Sequence, residues 1–400
     1  MFIYNFFIEN FSVTELYGLV FFALIWLVQL IFYIAIFAKP NRHANKSKRG
    51  KIWHSAAKPN VSIIVYCSEN FNDAERNITS FLNQDYPNFE VVIVNDGDDS
   101  DLKDTKTLLK EKYPNLNYTY VPQEAHSLSR KKLALTVAIK AAKYDIIGFT
   151  DAFCRPLSDK WLSTMVRNFI TDIDIVIGNS FEKGDKRAKW SYRFYRLIFK
   201  LKYFSYAIMH KPYMGEGTNM FIRKELFFNN RGFSNNLSIQ YGEDDIFANE
   251  IMTKDNCRVE LAEEAQIENT LYDIDGDLRE MRLRRSFTDK ILKTSAHFVF
   301  NIERVCTILF YVSFVALIIW GCITNILLIA FASSMFLIRY LSQSIVINKA
   351  SKTLKCDVNG FETMFYDFIR PIENIRFAIL GKSSSYRNYT WRIRQLPISA

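Results

Sequence analysis

Carboxylate side chains stand at three points where an apolar run meets a polar segment. Asp96 and Asp151 each follow a short apolar run, and Glu243, Asp244 and Asp245 stand together in front of another apolar segment. Carboxylates can take a proton from a reacting hydroxyl group or bind a divalent cation. These five residues are therefore the first candidates for a catalytic or binding centre.

Each of these carboxylates also has a purely structural explanation. Asp96 precedes Gly97 in a composition that is typical of an Asx turn. Asp151 is equally compatible with a turn cap, and acids at 243–245 stabilise the start of a helix. Two carboxylates at two strand ends nevertheless favour a shared nucleotide site more than either residue does alone.

The acids at 243–245 and a set of basic residues could act together on a phosphorylated substrate. Crowded carboxylates raise one another's pKa, and a carboxylate with a raised pKa is a better general base. A dense basic cluster at 278–287 contains Arg282 and Arg285, and Lys131 begins a basic amphipathic segment. Because the fork of an arginine fits phosphate oxygens, the cluster is either a pyrophosphate clamp or a basic flank beside a membrane.

The elements that must position these residues follow an α/β pattern. From residue 60 to about 149, β-branched runs alternate with segments of helical periodicity, which predicts a parallel, doubly wound sheet. Ligands of such sheets collect beyond the carboxyl ends of the strands, where Asp96 and Asp151 stand. The sequence contains neither GxGxxG nor GxxxxGK[ST], so a dinucleotide fingerprint and a P-loop are unsupported. Residues 190–209 are basic and aromatic, and an amphipathic helix is their simplest interpretation.

Three apolar runs, at residues 16–37, 305–322 and 324–347, predict transmembrane helices. A helix of about 20 apolar residues spans a hydrocarbon core of about 30 Å. A cleaved signal peptide is the competing interpretation of the first run. It is weaker because that run has no basic leader and no small-residue cleavage site.

The distribution of charge around these runs predicts the topology. Basic residues dominate between 39 and 58, so the positive-inside rule places the domain at 59–290 in the cytoplasm. The alternative is a solvated linker. The C-terminal segment, 355–400, is predicted to be cytoplasmic or interfacial, with an amphipathic helix at 361–380 that is interrupted at Pro371.

Composition limits the classes of partner. The net charge of +9 is compatible with nucleic acid or with an anionic membrane surface. The long apolar runs favour the membrane, and no nucleic-acid partner is expected. The six cysteines are scattered without a CxxC or Cys/His spacing, which argues against a zinc site or a disulfide framework.

Taken together, these segments resemble a membrane-bound family 2 glycosyltransferase with the GT-A fold. The resemblance covers roughly residues 59–290 and extends to the membrane layout. Its most specific part is the stretch from Phe81 to Gly97. Further matches are the first strand at 60–65, Lys131-Lys132-Leu133-Ala134-Leu135, Thr150-Asp151-Ala152, Glu243-Asp244 and Arg282-Leu283-Arg284-Arg285-Ser286.

The resemblance implies a role for each matching residue on the donor side. Asp96 would hold the base and ribose of a nucleotide sugar, and Lys131 would lie near its phosphates. Asp151 would face the diphosphate and a divalent cation, Mg²⁺ or Mn²⁺. Arg282 and Arg285 fall in the family's Gln-x-x-Arg-aromatic motif, with Arg285 near the leaving pyrophosphate.

On the acceptor side, the resemblance implies that Asp244 deprotonates the acceptor hydroxyl group. Glu243 completes the family's Glu-Asp pair, and Asp245 is the third acid of this catalytic group. The expected reaction is transfer of one sugar, with inversion, from a nucleotide-diphospho-sugar to a lipid-linked or cell-envelope glycan. The enzyme would be integral to the cytoplasmic membrane, with its catalytic domain in the cytoplasm.

The sequence departs from the family's pattern at four positions. Phe153 replaces the second aspartate of Asp-x-Asp, and Arg130 stands where a glycine is usual. Arg282 replaces the glutamine, and Ser286 replaces the Trp or His that holds a growing chain in processive synthases. Two alternatives stay open: a degenerate transferase that serves as a scaffold subunit of an envelope complex, and, on charge alone, a membrane protein that binds nucleic acid.

Overall fold

The computed structural model describes residues 9–68, 74–96, 109–122, 129–183, 189–239, 241–270 and 274–383. Some expectations from the sequence fall outside these ranges. They are the Asx turn at Asp96-Gly97, of which Gly97 is not described, and the part of the C-terminal segment beyond residue 383.

Ten strands occur in the described part of the chain. They are β1 (Val61–Ser68), β2 (Phe89–Asp96), β3 (Leu116–Val121), β4 (Ile146–Asp151), β5 (Cys154–Pro156), β6 (Ile175–Gly178), β7 (Ser180–Lys183), β8 (Met220–Arg223), β9 (Cys257–Glu260) and β10 (Ile267–Thr270). Seven of them form the main sheet in the order β3-β2-β1-β4-β8-β6-β9, and β5-β10-β7 form a small second sheet.

The helices of the described residues flank and follow the sheet. They are α1 (Val13–Ile31), α2 (Lys39–Lys48), α3 (Ala74–Leu82), α4 (Arg130–Ala141), α5 (Trp161–Val166), α6 (Trp190–Ile208), α7 (Lys224–Asn229), α8 (Asp245–Ile251), α9 (Ile274–Thr288), α10 (Ala296–Ile323), α11 (Ile326–Leu354) and α12 (Thr363–Ser383). A π-helical segment, Phe32–Phe37, joins α1 to α2.

The main sheet is mixed: β1, β2, β3 and β4 pair in parallel, as expected for residues 60–149, and one later strand runs in the opposite direction. Strand β8 runs antiparallel to both of its neighbours, β4 and β6. It starts beside the carboxyl end of β4, where Met220 pairs with Phe149. The chain therefore enters β8 at the carboxyl edge of the sheet, and β8 runs in the opposite direction to β4. This reversal places the preceding turn, Gly217–Asn219, beside the end of β4.

The centre of the sheet is buried on both faces. Every residue of β4 is buried, as expected for a central strand covered by helices on either side. Residues of β1 alternate between the two cores. Ile63 packs in the cluster formed with α3 and α5, and Ile64 packs in the cluster formed with α4 and α6. The predicted α/β fold class is confirmed.

In the described part of the chain, three helical segments are long and apolar enough to cross a membrane: Val13–Lys48, Ala296–Ile323 and Ile326–Leu354. The first two contain the apolar runs expected at 16–37 and 305–322, and the third begins at Ile326, two residues after the start expected for the run at 324–347. Aromatic rings join them, with Phe22 stacked on Phe310 at 5.0 Å between ring centroids. The core on the α4 and α6 side of the sheet continues into these helices through Phe37 and Phe300.

A buried charged cluster fastens α12 to the apolar helices. Arg339 Nη2 lies 2.5 Å from Asp367 Oδ2 and 2.9 Å from Gln29 Oε1. Arg370 pairs with Glu303 and with Asp367. Because isolated charges are costly to bury, each of these residues depends on its partners.

Pro371 lies inside α12, and the expected interruption at this position does not occur. Proline removes one helical hydrogen bond and crowds the preceding turn. Contacts on either side of the proline hold both halves of α12 in place. Arg370 binds Glu303, and Glu373 pairs with Arg282 of α9 at 2.8 Å.

Candidate active site

The carboxyl edge of the main sheet presents two of the predicted carboxylates. Asp96 ends β2 and Asp151 ends β4, with β1 between them. Tyr66 of β1 pairs in register with Asp151, and its hydroxyl group donates to Asp96 Oδ2 at 2.9 Å. The expectation that both strands end at one edge is therefore met, and Tyr66 lies between the two positions.

Lys131 connects α4 to the end of β4. Its Nζ donates to Asp151 Oδ1 at 3.0 Å and lies 3.9 Å from Glu243 Oε1. The ammonium group also sits 4.8 Å from the centre of the Tyr66 ring. Burial opposes the charge on Lys131, but Asp151 and Glu243 outweigh burial and raise the pKa of Lys131.

Two glycines, on two neighbouring loops, lie beside the catalytic candidates. Gly242 has φ +94°, a left-handed conformation in which a side chain would be strained. Gly217 lies so close to Asp244 that a Cβ atom at position 217 would stand 3.2 Å from the Asp244 Cβ. The reversed entry into β8 therefore brings the Gly217 turn directly against Asp244.

The side chain of Lys132 supports the same loop from α4. It is 1% exposed, and its Nζ donates to the carbonyl oxygens of Asn236 and Ile239 at 2.8 and 2.7 Å. One helix start thus supplies both Lys131, which faces the carboxylates, and Lys132, which anchors the backbone before them. Reasoning from the sequence missed the second role.

Helix α9 brings arginines to the acids at 243–245. Arg284 Nη2 lies 2.8 Å from Glu243 Oε1 and 3.7 Å from Asp244 Oδ1. Arg285 lies 3.4 Å from Asp245 Oδ2 and 3.6 Å from Glu216 Oε1. Arg284 was not among the predicted site residues.

Arg284 lies on the face of α9 that meets the acids. Thr288 follows Arg284 by four positions and Arg285 by three, so all three share one face of α9. The hydroxyl group of Thr288 donates to Asp245 Oδ2 at 2.6 Å, which fixes that face toward the acids. The family motif drew attention to positions 282 and 285 instead.

Arg282 is not joined to these carboxylates by an ion pair. Its Nη1 lies 2.8 Å from Glu373 Oε2 of α12. Its guanidinium group lies 4.1 Å from the centre of the Tyr195 ring and 4.6 Å from that of Phe377. The role of Arg282 in donor binding remains a prediction.

Asp96 is held by Arg130, the residue at the position where the family usually has a glycine. Arg130 Nε donates to Asp96 Oδ1 at 2.6 Å, and Nη2 donates to the carbonyl oxygens of Val121 and Pro122. Arg130 thus ties the end of β2 to the end of β3. In the sequence, Arg130 is only a departure from the family's pattern, and its partner Asp96 can be identified only in the fold.

Asp244 and Asp245 differ in surroundings although they are adjacent. Asp244 caps α8, with Oδ1 accepting from the Asp245 backbone N–H at 2.8 Å, and 20% of its side chain is exposed. The Asp245 side chain is 3% exposed. Asp244 therefore faces the cleft, and Asp245 supports α9 through Thr288 and Arg285.

The same surroundings drive the two pKa values in opposite directions. Burial favours protonation of Asp244, but Arg284, Arg285 and Lys131 outweigh burial and lower its pKa. Burial, together with the charge of Asp244, raises the pKa of Asp245 to about 6. The expectation that crowding makes a better base therefore applies to Asp245, which is the less accessible of the two.

A pH-dependent stability difference follows from Asp245. Its pKa in the folded protein lies above the unfolded value of about 3.9. The stabilisation that comes from protonating Asp245 is thus fully present below pH 4 and is lost as the pH rises to 6. We expect the Tm of the wild type, relative to that of Asp245→Asn, to fall between pH 4 and pH 7.

Differential scanning fluorimetry across this pH range measures the effect. Asp255→Asn is the matched control, because Asp255 is exposed and its charge is the same. A Tm difference between wild type and Asp245→Asn that does not change with pH would contradict the raised pKa.

Behind this edge lies a second buried polar group. Arg196 of α6 pairs with Glu182 at 2.6 Å and with Glu216 at 2.8 Å. Tyr203 donates to Glu216 at 3.2 Å. Since Glu216 also lies near Arg285 and precedes Gly217, this group fixes the turn beside Asp244. Residues 190–208 form the expected helix, and its Arg196 is buried among these carboxylates.

The residues that face one another at this edge line a narrow pocket of about 20 Å³. Its lining includes Lys131, Asp151, Gly217, Glu243 and Asp244. Among the described residues, no group of three His, Cys, Asp or Glu side chains is placed to hold a metal ion. The carboxylate oxygens that line the pocket belong to Asp151, Glu243 and Asp244. Such oxygens suit Mg²⁺ or Mn²⁺ when a substrate phosphate supplies further ligands.

Ligands of α/β sheets bind beyond the carboxyl ends of the strands, and this chain places carboxylates and cations at that edge. Residues 62–228 match the family described as "Glycosyl transferase family 2". This match indicates a family 2 glycosyltransferase domain within residues 62–228 of the chain. The matched residues include Asp96, Lys131 and Asp151 and end before the acids at 243–245.

Similar proteins include a polysaccharide synthase and a mannosyltransferase. Poly-β-1,6-N-acetyl-D-glucosamine synthase of Staphylococcus epidermidis is 27% identical over 133 residues, which are 33% of this chain and 30% of that protein. The solved structure of mannosyltransferase PcManGT from Pyrobaculum calidifontis, in complex with GDP-Man and Mn²⁺, matches with a TM-score of 0.47 and 16% identity. That match covers 88% of this chain and 99% of the other. The matched residues thus span less than a third of the length of the synthase.

Proposed function

We propose that this protein transfers one sugar, with inversion, from a nucleotide-diphospho-sugar to a hydroxyl group of a lipid-linked or cell-envelope glycan. The observation that carries the proposal is the single group formed by Lys131, Asp151, Glu243, Asp244 and Arg284 at the carboxyl edge of the sheet. Glycosyl transfer needs a base for the acceptor and positive charge for the leaving group, and this group offers both.

On the donor side, Lys131 and Arg284 supply positive charge to the diphosphate. Both cations pair with carboxylates, so a diphosphate with more negative charge competes for them directly. Asp96, held by Tyr66 and Arg130, lies across β1 from Asp151 and would receive the nucleoside. A donor placed in this way has its diphosphate over Asp151.

The proposed cation site rests on Asp151 alone. Phe153, at the position of the second family aspartate, packs against the apolar core of the α3 and α5 face. Burial raises the pKa of Asp151, and Glu243 and Asp244 add to this effect against Lys131. An added cation would relieve this crowding of negative charge. Bound Mg²⁺ or Mn²⁺ would supply further positive charge to the departing diphosphate.

On the acceptor side, Asp244 is the proposed general base. It is the exposed member of the adjacent pair, and geometry takes precedence over pKa in choosing a base. Arg284 and Lys131 keep Asp244 ionised before the donor binds. When a diphosphate neutralises these cations, the pKa of Asp244 rises toward a value that suits proton transfer. A single displacement on the opposite side of the sugar ring inverts the anomeric centre.

The three apolar helical segments and the basic residues after α1 support a cytoplasmic location for the domain. In this arrangement the carboxyl edge of the sheet would act on an acceptor at the inner face of the membrane. The likeness to a poly-N-acetylglucosamine synthase supports a glycan acceptor in the cell envelope.

A scaffold protein derived from a transferase is the second candidate. The observations that favour it are the packing of Phe153 against the apolar core and the engagement of Asp96 by Arg130. Sugar transfer by the purified protein alone would exclude it.

Calorimetry of the detergent-purified full chain tests the donor half of the proposal. The titrants are a panel of nucleoside diphosphates, each with and without Mg²⁺ or Mn²⁺. We expect one nucleotide to bind in a metal-dependent manner, and we expect Asp151→Asn to abolish that binding. Asp159→Asn, on the exposed segment before α5, is the matched control. Metal-independent binding that persists in Asp151→Asn would contradict the cation site, and no binding at all would favour the scaffold.

A further inference from the structure

A second and larger pocket lies where the apolar helices meet the basic segment. Its volume is about 600 Å³, within the range of small-molecule sites in proteins. It is bounded by α2 and the π-helical segment on one side and by α11 on the other. It shares no lining residue with the active-site pocket.

One end of this pocket is strongly basic. Five cationic side chains line it: Arg42, Lys46, Arg49, Lys51 and Lys349. All five residues are exposed, and no carboxylate of the described residues lies within 4.0 Å of any of these charges. Cations gathered without counter-ions repel one another, and an anion that bridges them relieves that repulsion.

The other end of the pocket is apolar. Ile34 of the π-helical segment and Ile345 and Val346 of α11 line it. Ile34 is 43% exposed and Ile345 is 53% exposed, so both side chains offer apolar surface to an occupant. With a helical rise of about 1.5 Å per residue, Lys349 lies about 6 Å along α11 from Ile345.

The walls of the pocket are held in place by specific contacts. Thr353 Oγ1 of α11 donates to Asn41 Oδ1 of α2 at 3.0 Å. The π-helical segment, Phe32–Phe37, immediately precedes α2, and such segments often occur at functional sites. The distance between α2 and α11, which sets the width of the pocket, is therefore held by a contact between the two helices.

We propose that this pocket binds one anionic phospholipid, with its phosphate on the basic end and an acyl chain along the apolar end. The apolar end is continuous with the helices that could cross a membrane, and the basic end begins where their apolar sequence stops. A lipid of a bilayer presents these two chemistries in the same order. A soluble phosphate would use only the basic end.

The test measures stoichiometric lipid binding to the full chain in detergent. Phosphatidylglycerol is added to delipidated protein, and native mass spectrometry counts the retained lipid, with phosphatidylcholine as the zwitterionic comparison. We expect one phosphatidylglycerol to be retained in preference to phosphatidylcholine. Inorganic phosphate and glycerol 3-phosphate, added as competitors, report whether the headgroup alone is recognised.

Two sets of variants separate this site from general attraction to anions. Arg42→Gln, Lys46→Gln and Lys349→Gln together remove three charges from the pocket, and binding should weaken by about 100-fold, since each cation near a lipid surface contributes about fivefold. Lys39→Gln, Lys48→Gln and Lys352→Gln remove the same charge from neighbouring positions outside the pocket lining. The control triple should bind within about twofold of wild type. Ser342→Trp fills the pocket without a change in charge, and it should also abolish retention.

Three results would overturn the proposal. Equal loss in both triple variants would mean diffuse electrostatic attraction, and normal retention by Ser342→Trp would place the lipid elsewhere. Full competition by inorganic phosphate would mean a soluble-anion site. Thermal unfolding of each variant in parallel identifies any loss that comes from misfolding. Because the readout is lipid binding, none of these results depends on sugar transfer.

Discussion

Replacing Asp244 with asparagine is expected to lower the rate of sugar transfer by about 10²–10⁴-fold while donor binding stays within a few-fold of wild type. Asparagine keeps the size of the side chain, and its carbonyl oxygen can still accept the N–H of Asp245 at the start of α8. The fold at this point is therefore preserved, and the variant loses mainly the ability to accept a proton.

The measurement is a turnover assay of the purified full chain that detects the released nucleoside diphosphate, with calorimetry for donor binding. Asp255→Asn is the matched control, since it removes one exposed carboxylate from the loop after α8. Transfer by Asp244→Asn at the wild-type rate would exclude Asp244 as the base. Equal loss of donor binding and of turnover would instead assign Asp244 to the donor site.

Replacing Arg284 with glutamine is expected to lower turnover by about 10²–10³-fold and to move the acid limb of the pH–rate profile to higher pH. The first effect comes from the loss of positive charge beside the leaving group. The second has a definite sign. Arg284 is the group that does most to lower the pKa of Asp244, so its removal raises that pKa. Asp244 would then be protonated, and inactive as a base, up to a higher pH.

A pH–rate profile of wild type and variant between pH 5 and pH 9 measures both effects. Arg279→Gln is the matched control because Arg279 is an exposed arginine of the same helix. An unchanged acid limb in Arg284→Gln would show that Asp244 does not carry the titration that limits activity. Arg284→Lys should restore part of the rate, since it returns the charge without the fork of the guanidinium group.

The positions of Asp96 and Asp151 could be predicted because both depend on local patterns. A buried β-branched run that stops at a carboxylate indicates a strand end, and parallel strands share an edge. The reversal of β8 could not be predicted in this way. The direction of β8 depends on where the chain returns to the sheet after α6. The apolar pattern of a short strand does not indicate whether the strand pairs in parallel or antiparallel.

Long-range partners limited the prediction of the site. Arg130 meets Asp96 at a separation of 34 residues, and Arg284 meets Glu243 at 41. Neither pair has a spacing that sequence patterns can detect. The motif at 282–286 identified the correct helix. The side of that helix that meets the acids is fixed by the hydrogen bond from Thr288 to the buried carboxylate of Asp245. Arg282, on another side, reaches α12 instead.

The adjacent acids show the same limit in electrostatic terms. Crowding alone predicts raised pKa values throughout residues 243–245. In the folded protein, three cations lower the pKa of Asp244, and burial raises that of Asp245. Which residue has which value depends on exposure, and exposure is a property of the turn at Gly242 and of the packing of α9.

The charged cluster that holds α12 has a consequence for the order in which the chain is made. Asp367 is synthesised 28 residues after Arg339, and Arg370 follows Glu303 by 67 residues. At about 5–20 residues per second, Arg339 and Glu303 leave the ribosome roughly 1–13 s before these partners exist. Gln29, made much earlier, already offers its amide oxygen to Arg339. Gln29 is thus available to Arg339 before the carboxylate of Asp367 is. The pairing of Arg339 with Asp367 can form only after α12 has been synthesised.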